Sequence, residues 1–280
     1  MKYYFTLKKP VEFEGIGIHT GEPSKIKITP SEFPGSGIYF FISDKKINLS
    51  LENIKDTNLC TTIGTFSFKI STVEHLLSTL YGLFINDVEI HVIKGREIPI
   101  LDGSAKLFVK KILEAGLKRT NSKIKIIQIV KSSTFKINNS LYKISPSRKF
   151  EIVCSLKTEK SKYLNDKISK FIFTSSNYIK NIAPAKTFCL FDDIKNILSS
   201  KKGLGGSLDN VIVVDSDRVI NPEILTYKKN ECLRHKILDF LGDLSFLKVY
   251  FKGKFEIINP GHYANLKFCE YLKKRRIIYE

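Results

Sequence analysis

Five histidines occur in the 280 residues, and three of them stand where an imidazole could do chemistry. The segment from Glu231 to Leu247 reads as one long helix. Leu233, Ile237, Phe240, Leu241, Leu244 and Leu247 share one side of it, while His235, Asp239 and Asp243 stack on the other. A polar stripe on an amphipathic helix is ordinarily its solvated face. The content of this one permits more: His and Asp at i and i+4 can reach a single metal ion, and imidazole with carboxylate suits zinc or iron. Two ligands do not make a zinc site, so a further ligand must come from elsewhere.

His75, preceded by Glu74, opens another helical stretch. Ser71-Thr72-Val73-Glu74 reads as a capping box, in which Glu74 reaches back to the Ser71 N–H. The alternative sends both side chains toward a metal, the histidine as ligand and the carboxylate as general base. Two histidines, an aspartate and an open position describe a catalytic zinc centre, not a closed structural one. His262 follows Pro260-Gly261 at a strand end, where a loop can present a side chain to a cleft. His19 sits in the glycine-rich run Gly15–Gly21, which lacks the strand-turn-helix context and spacing of a dinucleotide loop. His91 lies inside a strand pattern and reads as structural. Thr187, within Pro184-Ala185-Lys186-Thr187-Phe188, reads as a helix cap or as a hydroxyl beside a site, and Leu204–Asn210 as a connector or a substrate loop.

These residues need elements to hold them. Alternation over residues 24–29 predicts a half-buried strand, and Val73, Leu76, Leu77, Leu80, Tyr81 and Phe84 mark a helix face from Thr72. Val88–Ile93 returns to strand, and a helix is expected from Ser104 to Ala115 with Gly116 as its C-terminal cap. The polar run Lys118–Lys123 breaks the pattern, so a boundary near residue 120 divides the chain into units 1–120 and 121–280. In the second unit, strands are expected over 124–130, 134–144 and 149–157. A helix is expected near 187–199, then a hairpin around Asp215-Ser216-Asp217, the helix from Glu231, a strand over Phe255–Ile258 and a helix over Asn265–Lys274. Strands and helices mix without regular βα alternation, which argues an α+β fold. Both halves run strands, helix, strand, helix, a pattern open to structural duplication.

Composition sets the remaining bounds. Hydrophobic residues at 42% and charged residues at 26% exclude disorder and low-complexity fibre. Five widely spaced cysteines without a C-x-x-C indicate neither a disulfide framework nor a cysteine zinc site, which fits a reducing cytoplasm. The start has too short an apolar stretch for a signal peptide, and no run reaches the length of a membrane span, so a soluble, unprocessed protein is expected. The formal charge of +18 points to polyanionic partners, with a nucleic-acid-binding protein as the alternative to an enzyme. Only seven of the 46 basic residues are arginine, however, and the longest basic cluster is Lys273-Lys274-Arg275-Arg276. Scattered lysine of this kind reads as nucleotide-biased codon usage and solvated surface, so no nucleic acid partner is expected.

Taken in order, Gly15–Gly21, Thr72-Val73-Glu74-His75-Leu76, Ile98–Ser104, Ala183–Phe188, Gly205–Asn210, Arg234-His235-Lys236-Ile237-Leu238-Asp239 and Gly261-His262 resemble the bacterial UDP-3-O-acyl-N-acetylglucosamine deacetylases, the zinc amidases of lipid A synthesis. The resemblance spans nearly the whole chain. It implies that His75, His235 and Asp239 hold Zn2+, that Glu74 is the general base, that His262 is the general acid with Asp243 as its partner, and that Thr187 helps hold the oxyanion. It makes Lys236 a positive side chain in the substrate cleft and His19, Phe188 and Gly206 further substrate contacts. The implied fold is two similar α+β sandwiches facing each other across the site, each with a small insert; the second, near 193–228, shapes an acyl passage. The implied protein is a cytoplasmic monomer that takes UDP-3-O-acyl-N-acetylglucosamine, with a transient attraction to the anionic inner membrane surface. A zinc amidase of the same fold acting on another N-acetyl sugar is the alternative within the family. Lys186, where the family commonly has Arg, Cys189, where it has a small residue, and Asn259-Pro260, where a basic residue is usual, depart from its pattern.

Overall fold

The computed structural model describes residues 3–31, 35–165 and 167–275; Arg276 of the basic cluster lies outside them. The fold is mixed α/β, with several sheets and six helices among the described residues: α1 (Glu74–Gly82), α2 (Lys106–Ala115), α3 (Ser175–Asn181), α4 (Ile194–Ser199), α5 (Glu231–Leu244) and α6 (His262–Lys274). No helix among these residues is long and apolar enough to cross a membrane.

Two sheets share one strand order. The first runs Val11–Ile16, Pro23–Pro30, Val88–Lys94, Ile38–Ile42, Lys45–Asn48, and the second Ser133–Ile137, Ser140–Ser145, Tyr250–Ile258, Phe150–Ser155, Ile168–Ile172, with Ile126–Gln128 also paired to Tyr250–Ile258. In each, the central strand is the last to enter, antiparallel to one neighbour and parallel to the other. It is preceded by α1 and followed by α2 in the first case, preceded by α5 and followed by α6 in the second. Alternation drives this arrangement: Ser24, Ile26 and Ile28 of Pro23–Pro30 point inward while Lys25 and Lys27 stay part-exposed. Phe13, Ile28, Phe40 and Ile90 pack with Leu76, Leu80 and Phe108 in one core, and Tyr142, Ile152 and Phe255 with Phe240, Leu241 and Phe268 in another.

The helices α1 and α5 meet at close range, and this contact builds the site. Every residue of α1 is buried. A Cβ at Gly242 of α5 would lie 2.3 Å from the Glu74 carbonyl oxygen, so only glycine lets the first turn of α1 rest on α5.

Several expectations need correction. Residues 187–199 are not one helix: Phe188–Leu190 is a strand parallel to Ile212–Val214, a 3-10 turn spans Phe191–Asp193, and only Ile194–Ser199 is α-helical. Thr187 therefore caps no helix. Its N–H donates to Gly103 O and its carbonyl accepts from Ile212 N–H, so strand pairing claims this backbone. His262 is not on a loop but opens α6, which starts before the expected Asn265. Lys118–Lys123 is not a break: Leu117–Lys123 is a strand on Tyr3–Leu7, and its polarity reflects that only Thr120 is buried. The hairpin around residues 215–217 keeps its turn, but its return arm is the single bridge Val214 to Val219. No capping box forms, because Val73 is the N-cap residue and Glu74 turns to Thr61 and not to Ser71.

Candidate metal centre and active site

His75 stands in the first turn of α1, and His235 and Asp239 one turn apart on α5. One donor atom from each lies within 4.8 Å of the others, and all three residues are buried. The His235 Nδ1–H donates to the Ala185 carbonyl at 3.1 Å, which turns the ring so that Nε2 faces Asp239 Oδ1 at 3.2 Å, with His75 Nε2 at 3.8 Å from the same oxygen. Among the described residues Asp239 Oδ1 and His75 Nδ1 are buried without a hydrogen-bond partner. Burial, then the neighbouring His235, pushes His75 down to about 3, so it stands as neutral imidazole. Burial works against the charge on Asp239, yet His235 and Lys236 outweigh it and hold the carboxyl well below its usual range. The other oxygen, Oδ2, takes the Lys236 ammonium at 2.8 Å. Two imidazole rings and a carboxylate oxygen thus converge. This donor set fits a divalent cation of zinc-like preference.

Beside it, His262 lies between two carboxylates. Its Nδ1 is 3.0 Å from Asp243 Oδ2 and its Nε2 is 3.8 Å from Glu74 Oε1. Burial disfavours a charged ring, but Asp243 and Glu74 prevail and hold His262 up at about 9. Burial raises Glu74 to about 7 against the pull of His262. Asp243 also accepts from Thr61 Oγ1 at 2.6 Å and Asn265 Nδ2 at 2.8 Å, which fixes its plane. The arrangement offers a proton acceptor and a proton donor on the same side of the metal cluster.

Both groups open into a cavity of about 650 Å³. Thr187, Phe188, Lys236, His19 and Gly206 line it with His75, His235, Asp239, Glu74 and His262; of the catalytic, metal-holding and substrate-contacting residues that the resemblance implies, Asp243 alone stands behind the wall. Phe188 meets the His235 ring edge-on at 6.4 Å and carries the Lys236 ammonium 5.3 Å from its centroid. Ile18, Ile100, Ile194, Ile197, Leu198 and Val211 make an apolar arm. A Cβ at Gly205 would lie 2.2 Å from Gly17 O, so the 204–206 turn closes directly on the Gly15–Gly21 run.

A family profile described as UDP-3-O-acyl N-acetylglycosamine deacetylase (LpxC) matches residues 5–274. The chain belongs to this family. It is 37% identical over 262 residues to the UDP-3-O-acyl-N-acetylglucosamine deacetylase of Nautilia profundicola, covering 93% of this chain and 88% of that one. To the enzymes of the same name from Campylobacter jejuni and Campylobacter lari it is 37% and 38% identical, in each case over 98% of this chain and 93% of the relative. Members of this family are hydrolases that remove an acyl group.

Lys186 and Asn259 make structural contacts here. The Lys186 ammonium donates to Ile224 O at 3.0 Å and so ties down the 222–224 turn, away from the cavity. Asn259 adopts a left-handed φ of 50°, and its amide bridges Lys157 N–H and Asn139 O. Cys189 lines the cavity, and burial pushes its thiol up to about 11.

Sequence reasoning missed three supporting residues, Thr61, Asn265 and Glu97. The Glu97 carboxylate is fully buried and accepts from His19 N–H, Thr20 N–H and both threonine hydroxyls of Thr20 and Thr72, fastening the glycine-rich turn to the approach of α1. A carboxylate set before the apolar Ile98-Pro99-Ile100-Leu101 was the only signal for it. Isolated threonine and asparagine carried none.

Proposed function

We propose that this chain is a zinc-dependent amidohydrolase that removes acetate from UDP-3-O-acyl-N-acetylglucosamine, leaving the free amine for lipid A synthesis. The observation that carries the reading is the buried convergence of His75, His235 and Asp239 with one orphaned carboxylate oxygen, directly beside Glu74 and His262. Family membership and the printed name of the relatives supply the substrate.

In this reading His75, His235 and Asp239 hold zinc, which when bound supplies Lewis acidity to the amide carbonyl and to water. Glu74 takes a proton from the attacking water on Oε1, since Thr61 N–H already occupies Oε2. The Thr187 hydroxyl donates to the oxyanion. His262, kept protonated by Asp243, passes its Nε2 proton to the departing amine. Lys236 holds Asp239 in its charged form and lends positive charge to the cleft. Phe188, His19 and Gly206 shape the walls against the substrate, and the apolar arm, drawn in part from the insert near 193–228, takes the acyl chain.

The same reading groups the chain into two two-layer units, 1–120 and 121–280, facing each other across the site. The shared strand order of the two sheets supports this. It also treats the protein as a cytoplasmic monomer whose basic surface meets the anionic inner membrane in passing.

The test is direct. Purified protein is expected to hold about one zinc per chain and to release acetate from UDP-3-O-acyl-N-acetylglucosamine; a chelator abolishes release, and Glu74→Ala lowers kcat at least about a hundredfold while zinc stays bound. Full activity in metal-free protein overturns the metal assignment.

A further inference from the structure

We propose that Thr61 is a positioning residue for the reaction, fixing the general base and the general acid relative to each other through its own backbone and hydroxyl. The inference rests on the deacetylase reading above. Thr61 is fully buried in the link between the strands Ile54–Asp56 and Thr62–Gly64. All three of its polar groups serve the site. The N–H donates to Glu74 Oε2 at 3.0 Å, the hydroxyl donates to Asp243 Oδ1 at 2.6 Å, and the carbonyl accepts from Val73 N–H at 3.2 Å, the residue that caps α1.

These bonds close a circuit. Glu74 Oε1 faces His262 Nε2 at 3.8 Å, and His262 Nδ1 meets Asp243 Oδ2 at 3.0 Å, so each carboxylate gives one oxygen to Thr61 and the other to His262. Glu74 belongs to α1, Asp243 to α5 and His262 to α6, whereas Thr61 belongs to no helix and touches the first two. With Oε2 held by the N–H, the oxygen of Glu74 that remains available is the one aimed at His262 and the cavity. With Oδ1 held by the hydroxyl, the Asp243 carboxylate cannot rotate about its Cβ–Cγ bond, and the His262 ring keeps its heading. A hydroxyl buried only for packing would need some acceptor, and a nearby backbone carbonyl would do. Here the acceptor is the carboxylate that steers the acid.

Thr61→Val keeps the shape and the backbone bonds and removes only the hydroxyl. In the zinc-loaded enzyme kcat is expected to fall about ten- to a hundredfold, with KM and bound zinc unchanged within about twofold. Thr61→Ser is expected to recover kcat to within about threefold of the parent enzyme. Thr61→Cys, which keeps similar bulk and a weak donor, gives a smaller loss and serves if the valine variant does not fold. Spectra of 15N-histidine-labelled protein provide a readout apart from turnover: Thr61→Val, or Thr61→Cys in its place, shifts the His262 ring resonances and leaves those of His75 and His235 in place. A kcat unaffected by Thr61→Val and Thr61→Cys, a loss confined to KM or zinc content, or unmoved His262 resonances overturns the proposal. An unaltered protein that releases no acetate defeats the deacetylase reading alone, because the resonance shift still tests the geometry.

Discussion

Asp239 divides its two oxygens between a lysine and two histidines. Oδ2 is bound by Lys236, and Oδ1 faces the Nε2 atoms of His235 and His75 at 3.2 and 3.8 Å. Electrostatics of the same kind set the proton chemistry alongside. Glu74 must be ionised to act as base, so rate rises as pH climbs through its value of about 7, and a bound divalent cation, favouring the carboxylate, moves that limb lower. His262 must be protonated to act as acid, so rate falls as pH climbs through about 9. A bell-shaped kcat/KM profile between these limits is expected. Asp243 is the largest influence that keeps His262 charged against its burial. Asp243→Asn should therefore bring the alkaline limb down toward or below the ordinary histidine value of about 6.5 and cut the rate at pH 8 at least about tenfold. An alkaline limb that stays near 9 in that variant would show that another group supplies the proton.

At the scale of elements, the site depends on how closely α1 approaches α5. Gly242 sits between Asp239 and Asp243 in sequence and has no side chain to separate the helices. Gly242→Ala must displace the Glu74 backbone, with a cost of about 1–3 kcal/mol and a fall in Tm of about 2–12 °C for a chain of this size. Because the same displacement moves His75 away from His235 and Asp239, zinc affinity should drop in parallel with Tm. Calorimetry and a zinc titration check both, and an unchanged zinc affinity would mean the helices can separate without opening the metal cluster. The contrast explains what the sequence discloses. The stripe His235, Asp239, Asp243 is legible because helical periodicity is local and the types are chemically loaded. Gly242 within the same helix is not, since its role lies in a partner helix some 160 positions earlier. The misplaced helix at 187–199 has the same origin: Phe188–Leu190 looks apolar and helical alone, and only Ile212–Val214 beside it makes it a strand. Thr61 and Glu97 escape notice because each has a partner far along the chain, Asp243 for Thr61 and the His19-Thr20 backbone for Glu97.

Across the whole molecule, the charge of +18 takes its meaning from the site. Among the described residues Lys236 is the lysine that lines the cavity, and it is already paired with Asp239. A substrate bearing a diphosphate therefore feels the protein chiefly as a diffuse positive field and not as a ring of specific cations. Such a field acts on encounter, and ions screen it over about 30 Å at 0.01 M salt but only about 8 Å at 0.15 M. The expected signature is a split between kinetic constants. Raising ionic strength from about 0.02 to about 0.3 M should raise KM and lower kcat/KM about three- to tenfold, while kcat, which the proposed mechanism assigns to Glu74, His262 and the residues that would hold the metal, stays within about twofold. Those groups are nine-tenths or more hidden from solvent, which is why salt does not reach them. Steady-state kinetics across a salt series in a non-chelating buffer decide the matter. If kcat fell with salt while KM held, the surface charge would be acting on the chemistry itself, and the separation of a screened surface from an unscreened centre would be wrong.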